Sequence, residues 1–390
     1  MSSGKVLGFR FGAVSAGIRK DGRIDLALAV CDRPAVTAAL FTRNLVKAAP
    51  VLVAEERARA GVARAVLANS GCANAVTGEQ GLRAVHGTTQ AIAKALGIAA
   101  AEVLPASTGV IGAHLPEEKI VGQASALAAA LSPEGHEAFA QAICTTDRWV
   151  KIAEAEAEGA HVLAIGKGAG MIHPDVGPPH ATMLVFIFTD AQVEQPVLAR
   201  ALGDACEVTF NACSVDGDTS TNDTVVAMAS GASGKSPSEA ALAAALTKVC
   251  DELARSMVAD GEGSEHVAEI KVRGLASRAD AKAAAKTIAT SMLVKTALFG
   301  KDANWGRLLA AAGRAGVSFD PRRAAISIGG IPIVKDGAPI GADAERRANE
   351  ILKQPSYTIE LVLGDGPGDF RYLTSDLGHG YVDVNAGYRS

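Results

Sequence analysis

The sequence predicts an α/β protein, on three observations. Alanine-rich stretches with helical spacing recur along the chain, and short runs of branched or aromatic residues lie between them. The two kinds alternate irregularly, so a simple doubly wound order is not implied. The chain has 390 residues, 48% of them hydrophobic, enough to bury a large core and to fill roughly two or three domains.

In chain order, helical spacing is found at 81–97 and 116–131. Strand-like runs follow at 162–166 (VLAIG) and at 182–188 (TMLVFIF), the second opening on Thr182. The helix expected over 236–258 has start signals: Ser236 can cap, Pro237 suits the first helical position, and Glu239 completes a capping box. Beyond it come a strand at 268–273 (EIKVRG), a helix at 278–297, a strand at 324–328 (AAISI) and a helix at 342–353. Strands at 356–363 (SYTIELVL) and 381–385 (YVDVN) close the series. Glycines gather in loops beside strands, where backbone amides can approach a ligand closely.

The formal net charge of -4 leaves no basic footprint, so nucleic acid is not expected as a partner. No apolar run is long enough to span a bilayer, and the opening MSSGKVLGFRFG lacks the apolar core of a signal peptide; a soluble, cytoplasmic protein is expected. Six cysteines (Cys31, Cys72, Cys144, Cys206, Cys213, Cys250) are scattered without CxxC spacing, as expected of buried free thiols rather than a disulfide frame or zinc site.

Two tempting motifs fail. ASGASGKSP is not a phosphate loop, because Ala229 stands where the first glycine belongs and Pro237 follows directly. DGDTSTNDT (216–224) is not a calcium loop, because Thr221 replaces the turn glycine and Ala227 the bidentate glutamate.

The informative segment is KGAGMIHPDVGPPHATMLVFIF, residues 167–188. A glycine loop and a proline-rich stretch run abruptly into a strand headed by Thr182. By itself, Thr182 reads first as the opening residue of a buried strand, since threonine favours β structure. The chemical alternative is that its hydroxyl attacks the Ala181–Thr182 peptide and frees a new N-terminus. An α-amino group has a pKa of about 7.7 to 8.0, so the freed amine can accept the hydroxyl proton and one residue supplies both nucleophile and base.

Here the chain resembles the ornithine acetyltransferases, also called glutamate N-acetyltransferases or bifunctional arginine biosynthesis proteins. KGAGM followed by Ala-Thr-Met-Leu resembles their self-processing site. Further blocks in the family's order are FTRNLVKAAPV (41–51), NSGCANAVTG (69–78), ASTGVIG (106–112), TTD (145–147), FNACSVDGDTSTNDT (210–224), DGEG (260–263), VKTALFGKDANWGR (294–307) and NAGYRS (385–390).

The resemblance implies roles residue by residue. Thr182 is the nucleophile, freed by cutting after Ala181. Thr108 and Gly109 form the oxyanion hole through a hydroxyl and a backbone N–H. Thr145, Lys167, Thr182, Glu262, Asn385 and Ser390 hold the amino-acid substrate: lysine for a carboxylate, glutamate for an amine, hydroxyls and an amide for orientation. It also implies acetyl transfer from N2-acetylornithine to glutamate through an acetyl-threonine enzyme, with no metal or organic cofactor. The residues do not separate members that also use acetyl-CoA from those that do not.

The implied fold is a stacked α/β sandwich like that of N-terminal nucleophile hydrolases, with a second, smaller α/β part. The implied fragments are 1–181 and 182–390, two copies of each associating as a heterotetramer. Rival readings are a self-cleaving aminopeptidase of related architecture and a non-catalytic amino-acid-binding protein. Three departures from the family pattern stand out. The stretch from Lys167 to Thr182 is longer than usual, its extra residues in DVGPPH (175–180). Cys72 and Ala303 replace a usual asparagine and proline.

Overall fold

A computed structural model describes residues 6–174, 176–177 and 183–387. They form two compact units. The first takes in the described residues up to Asn211 together with Asp218–Met257; the second takes in Ala212–Gly217 and the described residues from Val258 onward.

The first unit is built on nine strands. Seven lie in the order Val103–Ser107, Val62–Asn69, Leu26–Thr42, Thr224–Ala229, Leu184–Thr189, Ala160–Lys167, Lys151–Ala157; Phe9–Val14 and Val176–Gly177 add to Leu26–Thr42. At 17 residues, Leu26–Thr42 is long enough to serve two half-sheets. Its first part pairs with Phe9–Val14 and Val62–Asn69, its second with Thr224–Ala229. The register with Val62–Asn69 shifts between Val30 and Ala35, and Pro34, which has no N–H to donate, falls in that break.

The half-sheets face each other across one core. Phe9 and Phe11 meet Phe188 edge-on, with ring centroids 5.1 and 4.9 Å apart, and Ala27, Ala29 and Ile165 share the same cluster. The alternate residues Leu26, Leu28 and Val30 point outward, under helices Gly78–Leu96 and Glu117–Ala129. On the far side, Gly166 lies against helix Glu239–Ala259; a Cβ there would come within 2.8 Å of Met257 Cε. Helix, sheet, sheet and helix make the stacked α/β sandwich the resemblance implies. Leu184–Thr189 is buried on both faces, which is why MLVFIF (183–188) is an unbroken apolar run.

The second unit has seven strands, in the order Ala338–Pro339, Ile331–Lys335, Ala325–Ile328, Ser356–Val362, Val267–Leu275, Gly368–Ser375, Cys213–Ser214. Ala268, Ile270 and Val272 pack with residues of helices Arg278–Ala289, Met292–Phe299, Trp305–Gly313 and Ala342–Ile351. On the other face, Glu269, Lys271 and Arg273 form ion pairs among themselves and with Glu360 and Arg371.

Three expectations need correction. The helix expected from 236 begins at Glu239, and its cap is Ser238, whose Oγ accepts the Ala241 N–H at 3.3 Å; Pro237 lies before the cap. The helix expected over 278–297 is two, because Ser291 takes an extended backbone and caps Met292–Phe299. Residues 381–385 are helical, within His379–Ala386. Their alternating valines fit a strand, but Val382 and Val384 are exposed, so the alternation buries no face.

All six cysteines are free, five buried and Cys144 half-buried. Among the described residues no helix is long and apolar enough to cross a membrane. The expected cut at 181–182 does not follow the boundary between units: strands on either side of it, Ala160–Lys167 and Leu184–Thr189, are paired neighbours in the first.

Candidate active site

The buried strand Val103–Ser107 ends in Thr108 and Gly109, and its neighbours fix the turn that follows. The Thr108 N–H donates to Asn69 O at 2.9 Å. Ser107 Oγ donates to Asn69 Oδ1 at 2.6 Å, and Asn69 Nδ2 to Cys72 O at 2.9 Å. Asn222, from the acidic run discarded as a calcium loop, donates its amide to Ala73 O (2.6 Å) and Ser107 O (2.8 Å).

Gly109 has φ +128°, and a Cβ there would lie 2.4 Å from Gly71 C and 2.6 Å from Cys72 N, so only glycine fits. Among the described residues, nothing accepts the Gly109 N–H or the Thr108 O–H. Two adjacent donors without acceptors, in a half-buried turn, suit an oxygen on which negative charge develops.

Beside this turn, the strand Ala160–Lys167 ends in a buried cation. Lys167 Nζ donates to Thr108 Oγ1 at 3.3 Å and lies 3.9 Å from Asp147 Oδ2. The Asp147 carboxylate, fully buried, is the hub. Its Oδ1 accepts from Lys151 Nζ and the Gly168 N–H, both at 2.7 Å, and its Oδ2 from the Thr145 N–H at 3.0 Å. Burial by itself would raise the Asp147 pKa, but Lys167 and Lys151 outweigh it and hold the carboxyl well below the usual range. Thr108, Gly109, Thr145 and Lys167 are thus gathered in the first unit. Sequence reasoning assigned no role to Asp147 or Lys151, although TTD (145–147) was among the recognised blocks.

In the second unit, Glu262 occupies the turn after helix Glu239–Ala259. Asn385 Nδ2 donates to Glu262 Oε2 at 2.9 Å and to Tyr381 O at 3.0 Å. The turn is pressed against helix His379–Ala386: Gly263 has φ +69°, and a Cβ on it would sit 2.1 Å from Tyr381 N. Asp376 Oδ1 accepts the N–H groups of Glu265 (2.9 Å) and His266 (3.0 Å), while its Oδ2 lies 3.0 Å from His266 Nδ1.

Glu265, His266 and Asp376 are close enough to be metal ligands, but Glu265 pairs with Lys301 at 2.8 Å and Asp376 is satisfied by the bonds just given. Nearby, Lys295 Nζ donates to Thr374 Oγ1 (3.0 Å), Ser375 Oγ (3.2 Å) and Ser375 O. Burial pulls its pKa down to about 8, against the pull of Asp376 and Asp216. Ala181, Thr182 and Ser390 lie outside the described residues.

A family model described as the ArgJ family matches residues 10–390. The chain belongs to the ArgJ family. The arginine biosynthesis bifunctional protein ArgJ of Nitratidesulfovibrio vulgaris is 48% identical to this chain, over 98% of each. Its namesake from Geobacter sulfurreducens is 45% identical, over 99% of this chain and all of its own. Among solved structures, the ArgJ of Bacillus halodurans is 38% identical with a TM-score of 0.50, covering 52% of this chain and 98% of its own. Both clusters described above fall inside the ArgJ match.

Proposed function

We propose that this ArgJ-family chain is a glutamate N-acetyltransferase, moving acetyl from N2-acetylornithine to glutamate through an ester on Thr182. The observation that carries the reading is the turn at Thr108 and Gly109, where two donors stand without acceptors among the described residues, beside the cation Lys167. Thr182, freed by cutting after Ala181, attacks the acetyl carbonyl while its own amine takes the hydroxyl proton. The Thr108 O–H and Gly109 N–H hold the tetrahedral oxyanion. Its collapse expels ornithine, protonated by the Thr182 amine, and leaves the acetyl ester. The glutamate amine then attacks the ester and restores the threonine. Lys167 suits the substrate carboxylate, Glu262 its amine, and Thr145, Asn385 and Ser390 its orientation.

The Bacillus halodurans chain supports the cut, because it is matched over 98% of its own length yet covers 52% of this one, close to the share of residues 182–390. Two copies of each fragment then associate, a mass that light scattering reads directly. No step calls for a metal or organic cofactor.

Steady-state kinetics test the reading. Acetylglutamate is expected to form with parallel double-reciprocal lines, since one threonine holds the acetyl group between two amino acids. Intersecting lines would exclude the ester, and peptide hydrolysis without acetylglutamate would favour an aminopeptidase. The same assay with acetyl-CoA in place of N2-acetylornithine separates a bifunctional enzyme from a monofunctional one.

A further inference from the structure

The geometry points to a second role for Lys167: it polarises the Thr108 hydroxyl, so that its charge reaches the oxyanion through that hydroxyl as well as a substrate carboxylate directly. The inference rests on the functional reading above and deepens it. A threonine hydroxyl has one proton and two lone pairs, whereas an ammonium group can only donate. With Lys167 Nζ 3.3 Å from Thr108 Oγ1, the lysine takes a lone pair and the threonine proton stays available to another acceptor. A hydroxyl that accepts from a cation is a stronger donor than a free one, because successive hydrogen bonds polarise one another.

Charge and burial agree with this. Lys151, Lys167 and Asp147 together carry one net positive charge. Asp147 is in direct contact with Lys151, at 2.7 Å, and stands 3.9 Å from Lys167. One carboxylate is thus shared between two ammonium groups, so the trio keeps a net positive charge, and Lys167, 7% exposed and turned to Thr108, brings its part of that charge to the hydroxyl. Asp147 fixes that arrangement from behind. Its remaining bonds, to the N–H groups of Thr145 and Gly168, tie its own loop to the residue that follows the lysine. Lys167 is a positioning residue with respect to the oxyanion, acting through Thr108.

A double-mutant cycle separates this from carboxylate binding alone. Lys167→Met keeps the length of the side chain, removes the charge and leaves Asp147 paired with Lys151. With Thr108 present, Lys167→Met is expected to lower kcat for acetylglutamate formation about 10-fold or more; with Thr108→Val, the further loss is expected to stay below about threefold. If Lys167 only binds carboxylate, the substitution raises KM, spares kcat, and has the same effect in both backgrounds.

Independent, multiplicative losses, or a change confined to KM, would overturn the inference. Wild-type turnover is read first: its absence would sink the functional reading itself, before any variant is compared. Intact mass identifies which variants are cut at Thr182. Should Lys167→Met stay whole, Asp147→Asn supplies the cycle, since it keeps both the Lys167 ammonium and the Thr108 hydroxyl but withdraws the anchor that aims one at the other. Its kcat loss is likewise expected to shrink when Thr108 is valine, and an undiminished loss would overturn the proposal.

Discussion

In the proposed mechanism Thr108 and Gly109 serve one oxyanion hole by different means, and substitutions separate them. Thr108→Val keeps the shape and removes the hydroxyl, so kcat is expected to fall about 10²-fold with KM little changed, because a donor used only in the transition state does not hold the substrate. Wild-type turnover in that variant would reduce Thr108 to a loop residue. Gly109 matters for its backbone. Gly109→Ala puts a methyl group 2.4 Å from Gly71 C at φ +128°, so activity should fall together with the thermal midpoint, by about 1 to 3 kcal/mol of stability.

Lys295 carries the clearest pH signature. Its folded pKa is about 8, against 10.5 ordinarily, so between those values the unfolded chain binds more protons and stability rises with pH. Below pH 8 both states are charged and the burial cost is present in full. In urea titrations, wild type should gain up to about 3 kcal/mol relative to Lys295→Met between pH 8 and about 10.5. A difference that stays flat over that range would contradict the burial account.

At the scale of the element, helix Glu239–Ala259 makes a direct comparison between the two candidate caps. Ser238→Ala should cost about 1 kcal/mol in urea unfolding, while Ser236→Ala should leave stability unchanged; the reverse would restore the earlier cap. Much of this level is legible in sequence wherever a face is buried with a regular period. Gly78–Leu96, Glu117–Ala129, Ser356–Val362 and Val267–Leu275 all fall near their expected places.

Leu26–Thr42 was not legible, because its alanines favour helix and Asp32-Arg33-Pro34 reads as an interruption; only its partners on both sides make it a strand. The reverse held at 381–385, where branched residues alternate without burial. The site divides in the same way. Thr108, Gly109 and Lys167 stand in recognisable blocks, whereas the Asp147 hub depends on a carboxylate, two lysines and two amides that meet only when the chain folds.

For the whole molecule, the strands described on either side of the expected cut are paired neighbours in one sheet rather than members of different units. Lys167 pairs with Leu184 and Ile165 with Phe186 across the strands that flank it. Cutting at Thr182 therefore breaks one peptide and leaves that sheet intact, and fragments 1–181 and 182–390 should stay together through purification and part only on denaturation. Thr182→Ala should remain whole and inactive. The most direct measurement is intact mass of the purified enzyme after exposure to N2-acetylornithine with no glutamate present. Two fragments meeting at Ala181 and Thr182 are expected, with one acetyl group added to residues 182–390 and lost again when glutamate is supplied. A single full-length species with full transferase activity, or fragments that never gain the acetyl group while turnover proceeds, would contradict the account.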